Sequence, residues 1–241
     1  MAVNPALVST VAVRGALKLQ QIFATVDAQS CPNSYNFHMH TLCSDGQLEP
    51  EALVEQAISI GLVEYAITDH HTVKGYRRAK AWMEDWQWRH PASVRGKARK
   101  RAALPRLWSG VEITATLLDA EVHILGYAFD IDHPVIQPYL QGHSRREGDR
   151  AAQKVIDAIQ QANGLAVLAH PARYRRSAED LIQAAVQLGI DGAEAYYAYD
   201  NPAIWRPSPD KTKVVERLID DYGLLRTCGT DTHGKSLLKR I

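Results

Sequence analysis

Cysteine is scarce in this chain: three of its 241 residues are cysteines, and no two of them form a Cys-x-x-Cys pair. An odd number of thiols without that spacing argues against a disulfide framework and favours a reducing compartment. Cys43 lies in a histidine-rich loop, but it lacks the partner thiolate or the histidine spacing of a zinc ligand. We therefore interpret Cys43 as a bystander.

Net charge and long apolar runs are also lacking. The formal net charge is +1 and the charged fraction is 23%, which argues against a disordered chain and against a globally basic nucleic-acid binder. The apolar run over residues 5–13 has no preceding positive charge and is followed by Arg14 and Lys18, so it predicts neither a signal peptide nor a membrane span. We expect a cytoplasmic protein without a membrane partner or an obligate protein partner.

The chain is rich in histidine, and two of its ten histidines form the motif His38-x-His40. The motif follows the strand-like run 35–37, and residues two apart in a strand point the same way, so both imidazoles are expected on one face. Asp45 comes next, in a turn that Gly46 permits. The spacing of these three side chains allows them to bind one divalent cation. For this motif alone, chance occurrence of the spacing is the alternative explanation.

The same pattern, a buried strand that ends in ligand-type residues, recurs along the chain. Asp69 and His70 follow the run 63–68, and His170 follows the apolar run 165–169. Because several such ends occur together, independent chance becomes a poor explanation. The residues that fall at predicted strand ends are His38, His40, His70, Glu112, His170 and Asp231.

The order of predicted elements favours a barrel-like α/β architecture. Some seven strands alternate mostly with helices, and in such folds the chemistry collects at the carboxyl ends of the strands. The connection between the runs 107–113 and 121–127 is so short that a hairpin is the alternative there to another strand-helix unit. A single helix is expected over residues 137–163. No internal repeat or low-complexity linker is present.

Together these segments resemble the polymerase and histidinol phosphatase (PHP) family of metal-dependent phosphoesterases. They look most like its branch of nucleoside 3',5'-bisphosphate phosphatases and RNA 5'-exonucleases. Each segment is weak alone, but the set is specific and follows the family's order over residues 35–234. The segments are His38-x-His40-Thr41-x-x-Ser44-Asp45-Gly46, Thr68-Asp69-His70-x-Thr72, Gly110-Val111-Glu112-Ile113, His123-Ile124-Leu125-Gly126-Tyr127, Ala169-His170-Pro171 and Gly229-Thr230-Asp231-x-His233.

The resemblance implies a distorted (β/α)7, TIM-like barrel that holds two or three divalent ions of manganese, zinc or iron. It also implies an N-terminal helical extension over residues 1–34 and a PHP domain over residues 35–241. Asp69 matches a position that orients ligands rather than binding metal. The implied ligand sets are His38, His40, Glu112 and Asp231 for the first ion; Glu112 as a bridge with His123 and His170 for the second; and Asp45, His70 and His233 for the third.

The implied activity is hydrolysis of a phosphomonoester, of a small nucleotide or of an RNA or DNA end, by a hydroxide that bridges the metals. Cations suit this reaction because they neutralise phosphoryl oxygens, generate hydroxide near neutral pH and stabilise the leaving alkoxide.

Arginine matches two phosphate oxygens. Arg173 is the first candidate for phosphate binding, because the branch has a similar His-Pro-x-Arg-Tyr segment. Arg146 and Arg150 come second, with a solvated helix face as the alternative. The expected catalytic residues are Glu112, Asp231, His170 and Arg173.

One departure separates the chain from that branch, which carries a helical insertion before the strand that ends in His-Pro. Here the predicted helix runs almost directly into Leu165, so the insertion is missing and substrate recognition is left open.

The basic stretch over residues 89–106 has seven Lys or Arg and no Asp or Glu. It is either a solvated loop or a flap that contacts polyanions. Glu194 also falls at a strand exit, and we assign it no role.

Three other functions stay open. A histidinol-phosphate phosphatase shares the barrel and the metals. An amidohydrolase-type barrel also opens with His-x-His, but this chain has no obvious bridging lysine at a strand end. A non-catalytic, metal-stabilised module would retain the fold without turnover.

Overall fold

The computed structural model describes residues 5–90 and 104–241, with side chains from Arg14 onward except that of Glu147. Most of the basic stretch 89–106 lies outside the described residues, so its role stays a prediction. In chain order the helices and strands are α1 (Pro5–Phe23), β1 (Tyr35–Asn36), α2 (Pro50–Ile60), β2 (Glu64–Ala66), α3 (Lys74–Arg89), β3 (Arg106–Trp108), β4 (Gly110–Leu117), β5 (Ala120–Tyr127), α4 (Ala152–Gln161), β6 (Leu165–Leu168), α5 (Ala178–Gln187), β7 (Gly192–Tyr196), α6 (Pro209–Tyr222) and β8 (Leu225–Cys228).

The predicted mixed α/β class is confirmed, but the strands do not form one closed sheet of seven. Among the described residues, eight strands form a parallel sheet of order β1-β2-β3 and a mixed sheet of order β4-β5-β6-β7-β8. β5 runs antiparallel to both β4 and β6. Leu118 and Asp119, both with positive φ, form a tight turn that joins β4 directly to β5. The hairpin alternative is therefore correct for this pair.

Backbone hydrogen bonds join the two sheets at both of their borders. The N–H of His40 donates to the carbonyl of Thr232 at 3.0 Å, just beyond the ends of β1 and β8. At the other border, the N–H of His71 donates to the carbonyl of Glu112 at 3.0 Å. The carboxyl ends of β1, β2 and β8 therefore meet β4 on one side of the molecule.

Helix boundaries follow the local sequence signals in one case and depart from the prediction in another. α2 has Pro50 in its first turn and ends at Gly61, whose φ of 87° is left-handed. Residues 137–163 do not form one helix. Two short 3-10 turns precede α4, and between them Gly142 takes a φ of 81°, which breaks the helical path. α4 then runs closely into β6, with no helical insertion between them.

The N-terminal helix packs onto the larger hydrophobic core. Leu19 and Phe23 are fully buried, and the Phe23 ring makes edge contacts with Phe37 at 5.0 Å and with Tyr127 at 5.5 Å between centroids. An amphipathic helix packs in this way, with its apolar face against the core. No helix within the described residues is both long and apolar enough to cross a membrane.

Candidate metal centre

His38 and His40 leave the end of β1 on the same side, as the strand-end pattern predicts. Both side chains are fully buried, and their ring centroids lie 5.2 Å apart. Met39, between them, packs into the apolar cluster formed with α2 and α3. The alternation of extended backbone therefore turns two imidazoles toward a polar centre and one thioether toward a core that anchors them.

Glu112 of β4 is buried at the centre of the imidazoles. Its Oε2 atom lies 3.0 Å from Nε2 of His38 and 3.0 Å from Nε2 of His40. Its Oε1 atom lies 2.7 Å from Nδ1 of His123 and 3.4 Å from Nε2 of His170. The two oxygens of one carboxylate thus face two different pairs of imidazoles, which is what a carboxylate that bridges two cations requires.

Asp231 presents its two carboxylate oxygens to different partners. Oδ1 lies 3.2 Å from Nε2 of His40 and 3.4 Å from Nδ1 of His233. Oδ2 accepts hydrogen bonds from the Tyr197 hydroxyl at 2.7 Å and from Nε of Arg240 at 2.9 Å. Because these donors hold the outer oxygen, the inner oxygen stays turned toward the imidazoles.

Asp45, His70 and His233 form the outer part of the cluster. Oδ2 of Asp45 lies 3.2 Å from Nε2 of His233 and 3.7 Å from Nε2 of His70. The rings of His70 and His233 stack against the buried ring of His40, with centroids 4.7 and 4.3 Å from it. The side chain of Asp45 is 53% exposed. A ligand can therefore approach the cluster from this side.

Within residues 5–90 and 104–241, two buried rings of the cluster lack hydrogen-bond partners. Neither ring nitrogen of His40 or of His170 makes a hydrogen bond of acceptable geometry, and such buried polar atoms are destabilising unless something binds them. Mixed sets of imidazole and carboxylate suit transition-metal ions. The residues therefore fit divalent metals. The groups whose ligand atoms lie within 4.8 Å of one another are His40, Asp45, His70 and His233; His38, His40, Glu112 and Asp231; and His70, Glu112 and His123.

These spatial groups differ from the predicted ligand sets at two points, one of which is that His40 joins the outer set of Asp45, His70 and His233. The first group expected from the sequence, around Glu112 and Asp231, is brought together as a whole. The group of Glu112 and His123, however, takes His70 as its third member rather than His170. His170 still lies within 3.4 Å of Glu112, so its assignment to the second metal remains a proposal.

Burial and mutual charge together set the protonation of the cluster. Burial alone would lower the pKa of His40, but Asp231 and Glu112 outweigh it and raise the pKa to about 9. Burial lowers the pKa of His70 to about 4. Burial alone would also raise the pKa of Glu112, yet the surrounding imidazoles hold it well below its usual range. The central carboxylate is therefore ionised and attracts cations.

Asp69 holds the loop that carries Asp45. Its carboxylate accepts hydrogen bonds from the N–H of Thr41 at 2.6 Å and from the hydroxyl of Ser44 at 3.0 Å. Gly75 approaches the same carboxylate so closely that a Cβ at this position would lie 2.0 Å from Oδ2. This arrangement fits a residue that orients the ligand loop.

Glu194, Tyr197 and Arg240 support the cluster, and the sequence assigned none of them. The buried Glu194 carboxylate lies 3.1 Å from Nδ1 of His38 and accepts the N–H of His170 at 2.9 Å. A predicted strand-exit position was the one available signal for Glu194, although the residue lies in the middle of β7. Tyr197 and Arg240 belong to no motif in the sequence.

The predicted phosphate-binding arginines are placed differently from one another. Arg173 is 43% exposed, and its Nη1 lies 3.3 Å from Oδ2 of Asp231 at the edge of the cluster. Arg150 pairs instead with Glu121 at 2.9 Å, and Arg146 is exposed in the irregular segment before α4. The expectation that Arg146 and Arg150 share a helix face is wrong, because this segment does not form a continuous helix.

Comparison with known proteins agrees with this geometry. A family profile described as PHP domain matches residues 36–87. The 5'-3' exoribonuclease Rnm of Escherichia coli strain K12 is 34% identical over 128 residues, which cover 53% of this chain and 38% of that protein. The 3',5'-nucleoside bisphosphate phosphatase of Chromobacterium violaceum is 28% identical over 131 residues, which cover 54% of this chain and 39% of that protein. The matched segments thus span well under half the length of these curated relatives.

Solved structures share the fold over most of the chain. A protein from Bifidobacterium adolescentis, inferred to be a metal-dependent phosphoesterase, has a TM-score of 0.66 at 22% identity and covers 85% of this chain and 89% of its own. A structure described as an amidohydrolase from Chromobacterium violaceum, with bound sulfate and no metal, has a TM-score of 0.64 at 18% identity and covers 83% of this chain and 88% of its own. At these identities the likeness concerns the fold. The family profile, the curated relatives and the histidine and carboxylate cluster agree in their likeness to the PHP family.

Proposed function

We propose that this chain is a metal-dependent phosphoesterase that hydrolyses phosphomonoesters of nucleotides or of oligonucleotide ends. The observation that carries the proposal is the buried carboxylate of Glu112, whose two oxygens face separate pairs of imidazoles. Such a centre gathers positive charge where the phosphoryl oxygens of a substrate need it. The names of the curated relatives, an exoribonuclease and a bisphosphate phosphatase, support nucleotide-type substrates.

We propose two or three ions of manganese, zinc or iron as the cofactors. The ligands would be His38, His40, Glu112 and Asp231; Glu112 with His123 and His170; and Asp45, His70 and His233. When bound, these ions would supply the positive charge that activates water and stabilises the leaving oxygen.

The chain's own residues then position the substrate and the ligands. Arg173 reaches the cluster edge with an exposed guanidinium, so it can transfer from Asp231 to a phosphate oxygen. Asp231 keeps its orientation when Arg173 leaves, because Tyr197 and Arg240 still donate to its outer oxygen. Glu194 and Asp69 hold the ligand-bearing strand end and loop in place. In this assignment, Arg173 is a substrate-binding residue and Asp231 is a metal ligand. The positioning residues are Tyr197, Arg240, Glu194 and Asp69.

The same proposal includes the finer architecture. The hydrogen bonds at the two sheet borders support a distorted barrel of the (β/α)7 type over residues 35–241, with residues 1–34 as an extension. The cysteines in the structure are free thiols, which is compatible with the reducing, cytoplasmic location that we predict.

Phosphate release is the direct test. The purified chain, stripped with a chelator and reloaded with manganese, zinc or iron, would be assayed on nucleoside monophosphates, a nucleoside bisphosphate, short 5'-phosphorylated RNA and histidinol phosphate. We expect release from the nucleotide substrates that chelation abolishes and metal restores. Activity on histidinol phosphate far above that on nucleotides would favour the histidinol-phosphate phosphatase instead. No release from any substrate with any of these metals would favour a non-catalytic module.

A further inference from the structure

A short segment, residues 235–240, lies against the loop that carries two of the candidate metal ligands. We call this segment the strap, and residues 230–234 the ligand loop. The N–H groups of His233 and Gly234 both donate to the carbonyl of Arg240, at 2.7 and 3.2 Å. The strap therefore satisfies backbone donors of the ligand loop directly.

The strap also bonds to side chains of the ligand loop. Nε of Arg240 donates to Oδ2 of Asp231 at 2.9 Å, and the hydroxyl of Thr232 donates to the carbonyl of Lys239 at 3.0 Å. Asp231 and Thr232 are both buried. If the strap came away, a buried carboxylate and a buried hydroxyl would each lose a hydrogen bond, which is unfavourable.

The ligand loop needs this support because its backbone is strained at Asp231. This residue has a φ of 51°, in the left-handed region that residues other than glycine adopt uncommonly. A residue in such a conformation keeps it only when the surrounding contacts hold it there. One of these contacts is the N–H of Asp231, which donates to the carbonyl of His38 at 2.8 Å. The strap supplies others, so the geometry of a candidate metal ligand depends on it.

The strap is anchored on α2, outside the candidate metal centre. Leu237 is fully buried in the apolar cluster that contains Met39, and its N–H donates to Oε1 of Gln56 at 3.2 Å. Nε2 of Gln56 donates in turn to the carbonyl of Lys235 at 3.0 Å. One amide of α2 thus fixes the strap at two backbone positions.

The rest of the strap has little burial to hold it in place. Lys235, Leu238 and Lys239 are exposed, and segments with few buried contacts open at a low free-energy cost. Cations bound at Asp231 and His233 would hold the ligand loop in the conformation to which the strap bonds. Linkage makes this effect reciprocal, since whatever favours the closed strap must also favour the bound cations.

We propose that Gln56 is a positioning residue that acts through the strap, and that the seated strap retains the metal ions bound at Asp231 and His233. The inference goes beyond the proposed hydrolysis and rests only on the metal centre of the proposed function. Loosening the strap weakens metal binding, and metal binding holds the strap closed.

The first test measures the zinc affinity of Gln56→Ala by competition with a chelator of known affinity. We expect the Kd of at least one zinc ion to rise about tenfold, because the variant lacks the two hydrogen bonds that seat the strap. Gln153→Ala is the matched control. Gln153 of α4 donates to Asp157 at 2.8 Å and to the carbonyl of Leu188 at 3.3 Å, and neither partner belongs to the strap or to the ligand loop. Its zinc affinity should match wild type.

Hydrogen exchange at the Leu237 amide gives a second readout, which needs no variant. This N–H donates to Gln56 and not to a candidate ligand, so bound zinc slows its exchange only by holding the strap closed. We expect about tenfold slower exchange with zinc than with chelator. The control is the amide of Asp180, which donates to Oγ of Ser177 at 3.0 Å at the start of α5. Its exchange rate should not respond to zinc.

The outcomes separate the strap from the proposed function. Zinc affinity of Gln56→Ala equal to that of wild type, or a Leu237 amide that exchanges equally fast with and without zinc, would overturn the strap and leave the metal centre intact. A wild type that binds no zinc, manganese or iron would overturn the strap together with the proposed cofactors. Neither readout depends on phosphate release, so a strap that responds to zinc in a chain without hydrolytic activity would count against the proposed function alone.

Discussion

Nδ1 of His38 lies 3.1 Å from Oε1 of Glu194, and both side chains are fully buried. An ionised carboxylate only accepts hydrogen bonds, so this contact places a proton on Nδ1 and leaves Nε2 as the nitrogen that can bind a metal. Oε2 of Glu194 also accepts the N–H of His170. One carboxylate therefore orients the ligands of two strand ends.

Glu194→Gln should weaken metal binding by about 10- to 100-fold, because the amide cannot accept both hydrogen bonds. Competition with a chelator of known affinity, followed by metal analysis, would measure the change. Glu64→Gln is the matched control, since Glu64 accepts the indole N–H of Trp108 at 2.6 Å outside the cluster. Metal affinity unchanged from wild type in Glu194→Gln would contradict the orienting role.

Glu112→Gln should reduce kcat on the order of 10³-fold while changing substrate binding far less. The physical reason is that one substitution disturbs the charge facing both pairs of imidazoles. Steady-state kinetics with saturating metal would separate the two effects. Activity within a few-fold of wild type would show that Glu112 does not bridge two cations.

Arg173→Ala should raise KM by about tenfold and leave kcat within a few-fold, because Arg173 contacts phosphate while Asp231 retains its other donors. Initial-rate kinetics on a nucleoside monophosphate would measure both constants. The control Arg14→Ala removes an exposed arginine on α1 and should behave as wild type. An unchanged KM in Arg173→Ala would remove this residue from the substrate site.

Metal binding should stabilise the fold, since the unpartnered nitrogens of His40 and His170 gain ligands. At a metal concentration of about 100 times Kd, the expected gain is about 2.7 kcal/mol, or a rise in Tm of roughly 5–10 °C for a chain of this size. Differential scanning fluorimetry with and without manganese or zinc would show it. A Tm that does not respond to any metal, and that chelation leaves unchanged, would argue against a built metal site.

Asp191 offers a test of pH dependence away from the metal centre. Its carboxylate accepts the N–H of Ala166 at 2.8 Å and the amide of Gln160 at 3.0 Å, and burial raises its pKa. Because the folded pKa exceeds the unfolded one, Asp191 favours folding only once it is protonated. Its contribution to the free energy of unfolding should therefore increase as the pH falls through the folded pKa.

Two substitutions of Asp191 separate charge from hydrogen bonding. Asp191→Asn keeps an acceptor without charge, so at neutral pH it should be as stable as wild type or slightly more so, and this difference should shrink in acid. Asp191→Ala leaves the Ala166 N–H unpaired and should cost about 1–3 kcal/mol. Urea unfolding of both variants between pH 4 and 7 would measure these changes. Equal destabilisation by both substitutions would contradict this account.

The clustering of the candidate metal ligands was predictable because local sequence encodes their positions. A strand forces alternation, so His38 and His40 share a face whatever the rest of the chain does. Residues that directly follow buried strands, such as His70 and His170, come to one edge once those strands lie side by side. The boundaries of α2 also depend on local sequence, since Pro50 and Gly61 act through their own backbone preferences.

The predictions of secondary structure were wrong or undecided where the local sequence signals were ambiguous, or where other backbone preferences outweighed them. The apolar pattern over residues 137–163 suggested one helix, yet Gly142 and the short 3-10 turns divide the segment. That difference also moved Arg146 and Arg150 away from a common helix face. The turn at Leu118 and Asp119 required positive φ at two residues that rarely adopt it, so the hairpin could be offered only as an alternative.

The sequence by itself determined the mixed α/β class, the likeness to the PHP family and the strand-end positions of His38, His40, His70, His170 and Asp231, because all three depend on short-range patterns. The strand-end prediction is wrong for Glu112, which lies near the start of β4 because that strand extends to Leu117. Only the tertiary structure decided which side chains support the candidate metal centre. Arg240 is 9 residues from Asp231 and Glu194 is 156 residues from His38, and no periodicity links such partners. Their contacts form when distant segments pack around one core, which also sets the two sheets and their hydrogen-bonded borders.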